Sequence, residues 1–313
     1  MNDHIYTSTF IENLQKHLDS KTNGYITYPK FFFLCGKGYD PNDSDSYNSS
    51  NRGIIHRYIQ KLYPDMHIVL SERLWENTFD PSIDLLTFEE FLAEISDFII
   101  LFVESAGSFC ELGAFAYADS LFGDKLMIIV DKKYENDFSF INIGPVSKAK
   151  KNKSKVIYSN IEESSFLSDD SIREAINQRI KSFSPRKAVN NKRKINTNQK
   201  EVYINSFIIE ILELLKIVQP ISESDLWNLY KRVKRFDQFE LVKRDGTPFF
   251  KKIQNSYIVK LLKVSDIIDE RNGFLYLKQS DKIENLMFDY SNYAIQRERS
   301  QLICRKYKNG ELI

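Results

Sequence analysis

The sequence predicts an α/β fold: a mostly parallel sheet flanked by helices, followed by a smaller domain whose element order is that of a winged helix-turn-helix. Three observations carry this. Short, unbroken apolar runs alternate with segments of helical periodicity over residues 1–183, and strands buried on both faces read as such runs. The pattern breaks at Ser184, where residues 184–200 hold few large apolar side chains and the basic cluster Lys192-Arg193-Lys194. In residues 201–313, three helical stretches precede Asn272-Gly273 between two apolar runs, a strong hairpin signal. The expected domains are therefore 1–183 and 201–313, joined by a basic linker at 184–200.

Taken in order, residues 1–29 read as a lead-in with a short helix near 10–18. Residues 31–35 form the first strand, bounded by Gly36-Lys37-Gly38, and a polar loop spans 40–51. Residues 53–62 are helical, with Ile54, Ile55, Tyr58 and Leu62 on one face. The second strand, 66–70, runs into Ser71-Glu72-Arg73. A helix over 87–95 has Thr87 as its expected cap and Glu90 three residues on. Residues 98–103 make the third strand, 108–120 a helix, 126–130 the fourth strand, 156–158 a weak fifth, and 171–183 a closing helix. Right-handed crossovers then bring the loops after Leu34, Leu70 and Val103 to one edge. Beyond the linker, Ile204, Ile208, Ile211, Leu212, Leu215 and Val218 mark a helix stopped by Pro220. Leu226, Leu229, Tyr230 and Val233 mark the next, capped by Ser222 or Ser224. Ile253, Tyr257, Ile258, Leu261 and Leu262 mark the third, which exposes Lys260 and Lys263. The tail, 283–313, is expected to be helical.

Composition narrows the classes. With 313 residues, one large or two ordinary domains are expected, and 42% apolar residues supply real cores. No apolar run reaches the ~18 residues of a membrane span, and the N-terminus lacks a basic start followed by an apolar segment. Three scattered cysteines, Cys35, Cys110 and Cys304, fit neither a disulfide framework nor a zinc site, so a reducing cytoplasm is expected. His4, His17, His56 and His67 form no metal-ligand pair, so no metal site is expected, and no cofactor is expected. The net charge of +1 says nothing of partners, but residues 148–155 and 185–200 are basic without an acidic residue. Such runs are solvated surface or phosphate contacts.

The chemistry concentrates between Glu104 and Glu111, where a buried strand feeds a tight turn and a helix start. Glu111 has two readings. It completes a capping box with Ser108, or it is a carboxylate held at the sheet's carboxyl edge, able to stabilise or attack the oxocarbenium-like centre of a glycosidic bond. Around it, Gly36, Lys37 and Gly38 form a loop that approaches substrate, although it is neither GxGxxG nor a P-loop. Asp40 and Glu72 are loop carboxylates that hold a sugar hydroxyl, protonate a leaving base, or are simply solvated. Glu104, Ser105, Gly107 and Ser108 line the turn, with capping expected for at least one serine. Asp97 orients the third strand. Cys110 lacks a histidine partner and reads as an apolar filler.

A strand ending in an acidic residue, then Ser-x-Gly-Ser and Glu-x-Gly, resembles the nucleoside 2-deoxyribosyltransferase family, and Glu111 takes the place of its nucleophile. The likeness extends to the effector proteins encoded beside bacterial retron reverse transcriptases, through Phe33-Leu34-Cys35-Gly36, residues 104–115 and residues 139–146. The resemblance implies a flavodoxin-like sheet and a toxic activity on the N-glycosidic bond of a nucleoside, nucleotide or NAD. Its partners would be the reverse transcriptase and its RNA-DNA product, in a complex that holds the activity in check and forms a higher-order oligomer. Glu104 departs from the transferase pattern, which has Asp there, so hydrolysis stands beside transfer. A winged helix would contact nucleic acid through Lys260 and Lys263, Lys251 and Lys252, and Lys192, Arg193 and Lys194, or serve as a protein-docking module. An NAD glycohydrolase or ADP-ribosyltransferase, and a non-catalytic nucleotide-sensing module, are the alternatives.

Overall fold

The computed structural model describes residues 6–21, 25–26, 30–38, 43–75, 84–117, 123–161, 169–182, 186–187, 200–243, 245–249, 253–278, 302, 307–308 and 311–312. The chain divides into two compact units: Pro29–Ser184, and Met1–Tyr28 together with Pro185–Ile313. The first helix, α1 (Ser8–Lys21), thus belongs to the unit built by the far end of the chain, not to the sheet that it precedes.

The unit Pro29–Ser184 is a doubly wound sheet. Its elements are β1 (Lys30–Cys35), α2 (Ser44–Ser49), α3 (Asn51–Leu62), β2 (Met66–Val69), α4 (Ser71–Trp75), α5 (Leu85–Ile95), β3 (Phe98–Val103), α6 (Ala106–Tyr117), β4 (Leu126–Asp131), α7 (Ser147–Lys151), β5 (Lys155–Ser159) and α8 (Asp170–Lys181). The strands lie in the order β2-β1-β3-β4-β5 and every pairing is parallel. This is the strand order of flavodoxin-like sheets. Alternate residues serve opposite faces. Phe32, Leu34, Ile100, Phe102, Met127 and Ile129 pack with Ile55 and Ile59 of α3 and with Ile172, Ile176 and Ile180 of α8. Phe33, from the other face, meets Phe115 of α6 edge-on, ring centroids 6.3 Å apart. From β1 the chain steps outward to β2, and from β3 it steps the other way to β4. The carboxyl ends of β1 and β3 therefore flank the switch point, where such sheets open a crevice.

Several expectations shift by local chemistry. The polar stretch 40–51 is not all loop: it contains α2, capped by Asp43, whose Oδ1 accepts from Asp45 N at 2.9 Å. Gly53 lets α3 pass close to α2, since a Cβ there would lie 1.9 Å from Tyr47 O. Helix α5 is capped by Asp84, which takes the Thr87 amide at 2.8 Å, so Thr87 is the third helical residue and not the cap. Asp97 accepts from Phe31 N at 3.0 Å and lies 3.8 Å from Lys30 Nζ, which ties together the amino ends of β1 and β3.

The second unit contains β6 (Lys200–Tyr203), α9 (Ile204–Val218), β7 (Ile221–Ser222), α10 (Glu223–Lys234), β8 (Phe239–Val242), α11 (Asn255–Val264), β9 (Ile268–Arg271) and β10 (Phe274–Leu277). β6 pairs with β8 in parallel, and β9, β10 and β7 form an antiparallel sheet in that order. Asn272 and Gly273 join β9 to β10 with φ of 52° and 79°, the left-handed pair that a tight hairpin needs. Helix α9 is the core. Its Glu210 accepts from Tyr230 Oη at 2.6 Å and Lys234 Nζ at 2.8 Å, and its Glu213 lies 2.8 Å from His17 of α1. Buried carboxylates need such partners. Phe10, Leu14 and Leu18, spaced four apart, complete the apolar seam of α1. In the tail, Tyr307–Lys308 pairs antiparallel with Glu311–Leu312 instead of continuing a helix; residues 279–301 lie outside the described residues. Among the described residues, no helix is long and apolar enough to cross a membrane.

Candidate active site

At the end of β3 the backbone amides of Glu104 and Ser105 have left the ladder. The hydroxyl of Ser108 takes both, at 2.9 and 2.8 Å, and donates to Ser105 O at 2.9 Å. Ser108 is wholly buried and spent on this turn. Helix α6 starts at Ala106, and the Ser108 amide is bonded to Ser105 Oγ at 3.3 Å. Ser105 is thus the cap, and the box expected between Ser108 and Glu111 does not form. Glu111 lies in the second turn, with its Oε2 buried and without a hydrogen-bond partner.

What Glu111 faces was not legible in sequence. The Cys35 sulfur, a Glu89 oxygen and a Glu111 oxygen all lie within 4.8 Å of one another. They come from the end of β1, the inner face of α5 and the second turn of α6. Burial pushes the Glu111 carboxyl up to about 7; Arg52 pulls it down and Glu72 raises it further. Burial, then the charge of Glu111, pushes Glu89 up to about 8, against a hydrogen bond from Ser71. Burial also holds the Cys35 thiol well above its ordinary range. Among the described residues, this is the one cluster able to converge on a cation. At neutral pH, however, the thiol keeps its proton and Glu89 is largely protonated. The arrangement therefore suits a proton donor beside a carboxylate better than a metal cage.

Beneath this pair lies Arg52, 1% exposed. Its guanidinium is bidentate to Glu72, at 3.0 and 2.6 Å, and donates to Lys37 O at 2.7 Å. Glu72, itself half-buried, is therefore committed to an ion pair with a buried guanidinium. Glu104 is equally committed: Oε1 accepts from Lys37 N at 3.1 Å and Oε2 from Asn51 Nδ2 at 2.6 Å. Gly36, at φ 152°, lets this staple close, because a Cβ there would lie 3.0 Å from Glu104 Oε1 and 3.1 Å from Phe102 Cβ. The loop after β1 is thus held from both sides. Lys37, Gly38 and Gly107 are exposed at the rim.

The structure accordingly gathers Gly36, Lys37, Glu72, Glu104, Ser105, Ser108 and Glu111 at one sheet edge. Asp40, Lys192, Arg193, Lys194, Lys251 and Lys252 lie outside the described residues. In the second unit Lys260 is half-buried on α11, and Lys263 is ion-paired with Glu270 beside the hairpin. No described histidine joins the site: His17 pairs with Glu213, His56 with Tyr47 Oη, and the His67 ring lies beside Phe31. Sequence reasoning missed Arg52, Asn51 and Glu89. One signal was available, a charged residue placed between Phe88 and Phe91 on the inward stripe of an amphipathic helix.

Residues 48–270 match the family model described as STM3845 retron effector protein. The chain is 30% identical over 248 residues, 77% of its length and 74% of the relative's, to the Escherichia coli protein named "Retron Ec86 putative ribosyltransferase/DNA-binding protein". It is also 36% identical over 121 residues to the E. coli protein named "Retron Ec73 putative ribosyltransferase/DNA-binding protein", a match that spans 37% of each chain.

Proposed function

This chain belongs to the STM3845 retron effector family, and from that premise we propose that it cleaves or transfers at the N-glycosidic bond of a nucleoside or nucleotide. The observation that carries the proposal is the Glu111 carboxylate, buried, with one oxygen unpartnered, within 4.8 Å of a second carboxyl at the switch point of the sheet. Glu111 attacks the anomeric carbon as the carbon–nitrogen bond breaks, and the departing base takes a proton from Glu89. Water, or a second base, then displaces Glu111 from the sugar. A short carboxyl spacing is that of retaining glycosidases, which favours a glycosyl-enzyme over direct hydrolysis. Arg52 holds part of the negative charge of the cluster while remaining clear of the sugar.

The names of the relatives, ribosyltransferase/DNA-binding, support a division of labour between the two units. The unit Pro29–Ser184 carries the chemistry. The second, which we read as winged-helix-like from its three helices and hairpin, docks onto the reverse transcriptase or its RNA-DNA product, and this complex keeps a toxic activity in check. The ion pair between Lys263 and Glu270 favours protein over phosphate at that position.

Incubation with a nucleotide pool and with NAD tests the chemistry. Free base released by the wild type and not by Glu111→Gln is the expected result. Loss of NAD in place of nucleotides would move the substrate to the NAD-consuming class, and binding without product would remove the enzymatic reading altogether.

A further inference from the structure

We propose that the surface running from the turn after β4 through α7 to β5 is a docking track for single-stranded nucleic acid. Residues 138–161 contain five lysines and no acidic residue. Lys150, Lys151, Lys153 and Lys155 are exposed, and Lys148 lies over the Tyr117 ring at 5.1 Å. The same stretch bares two phenyl rings, Phe138 at 95% and Phe140 at 85% exposure.

The rings stand on a built scaffold. Asn142 donates to Tyr134 O at 2.5 Å and to Asp137 O at 2.9 Å, and accepts from Tyr158 Oη at 3.0 Å. Lys150 Nζ in turn lies 5.1 Å from the Tyr158 ring centroid, which places the lysine helix and the phenyl turn on one stretch of surface. Phe140 rests at 3.6 Å from where a Cβ on Gly144 would sit.

Water is a poor partner for two bare phenyl rings, and a strip whose lysines outnumber the two exposed carboxylates of its turn, Glu135 and Asp137, selects a polyanion. Only a ligand with planar apolar faces and regularly spaced anions satisfies both. Unpaired bases stack on the rings while phosphates meet the lysines. A duplex hides its base faces, so the strand must be single. The track reaches the helix that carries Glu111, on the side of Phe109, whose ring lies 6.5 Å from that of Tyr134. Its existence does not depend on whether Glu111 reacts.

The test is fluorescence anisotropy of the full chain with a labelled oligothymidylate over a range of NaCl. Wild type is expected to bind with a steep salt dependence. The triple variant Lys150→Glu, Lys151→Glu, Lys155→Glu should lose most of the affinity and flatten the log–log salt slope by about 2, at about 0.7 per phosphate contact. The double variant Phe138→Ala, Phe140→Ala should bind about tenfold or more weakly with its slope unchanged. All these side chains are exposed, and circular dichroism checks the fold. Wild-type binding that neither variant alters, or that only Lys260→Glu with Lys263→Glu removes, would overturn the track. So would tighter binding of an acidic polypeptide than of the oligonucleotide. A phenyl variant that binds as wild type yet sediments as a smaller species would assign the rings to a contact between copies instead.

Discussion

At the scale of single residues, the proposed chemistry rests on Glu111 and Glu89. Their carboxyl oxygens lie within 4.8 Å of one another and burial raises both, so protons leave them as a pair. If Glu111 must be ionised and Glu89 protonated, base release should rise as pH passes about 7 and fall above about 8. Glu89→Gln should remove the falling limb and cost about 10²–10⁴ in rate, measured by base release across pH 5–9. The same groups make a stability prediction of opposite flavour. A carboxyl whose folded pKa is raised binds its proton more tightly when folded, so its contribution is full below the unfolded value of about 4.3. That contribution is lost as pH climbs through about 7 for Glu111 and about 8 for Glu89. The melting temperature of Glu89→Gln should therefore overtake that of wild type across this window, and the gap should close in acid. A gap that widened toward acid would mean that Glu89 is ionised in the folded chain.

The strand-end loops hold the pocket in shape at the scale of elements. Arg52 of α3 bonds Glu72 at the start of α4 and the Lys37 carbonyl after β1, while Glu104 after β3 takes the Lys37 amide. One loop residue is thus gripped through both its backbone groups by elements far apart in sequence. Gly36→Ala should break this grip, because its Cβ meets the Glu104 carboxylate and Phe102 at a backbone angle that side chains rarely adopt. We expect a loss of about 1–3 kcal/mol in chemical denaturation, together with weakened substrate binding in the unit that otherwise folds. In the second unit, His17→Ala should strand the buried carboxylate of Glu213 and cost about 1–3 kcal/mol. The His17–Glu213 contact is tested by whether that variant lowers the denaturation midpoint while Glu111-dependent base release is kept.

Two units with separate cores make up the whole molecule, and the first helix crosses the sequence to join the second. Deleting residues 1–28 should therefore loosen α9 and α10 and spare the sheet. Hydrogen exchange checks this: protection of residues 204–234 should fall while that of residues 98–103 and 126–131 persists. The parallel sheet was legible because its strands are buried on both faces and leave unbroken apolar runs at 31–35, 98–103 and 126–130. The hairpin was legible because Asn272-Gly273 adopts φ above zero at little cost. These are local signals, and local chemistry suffices to write them. The candidate pocket was only half legible, since the segment from Glu104 to Glu111 displays its serines and carboxylates in order, yet leaves Glu111 balanced between cap and catalyst. Of that balance, tertiary structure removed the cap reading and no more: Ser105 caps the helix, and Glu111 faces Cys35 and Glu89. It alone decided that Glu72 and Glu104 are braces, that Arg52 sits beneath the pocket, and that α1 packs against α9. The physical reason is common to all of these. Burial and pairing of charge depend on which distant elements the fold brings within a few ångströms, and spacing along the chain does not carry that information.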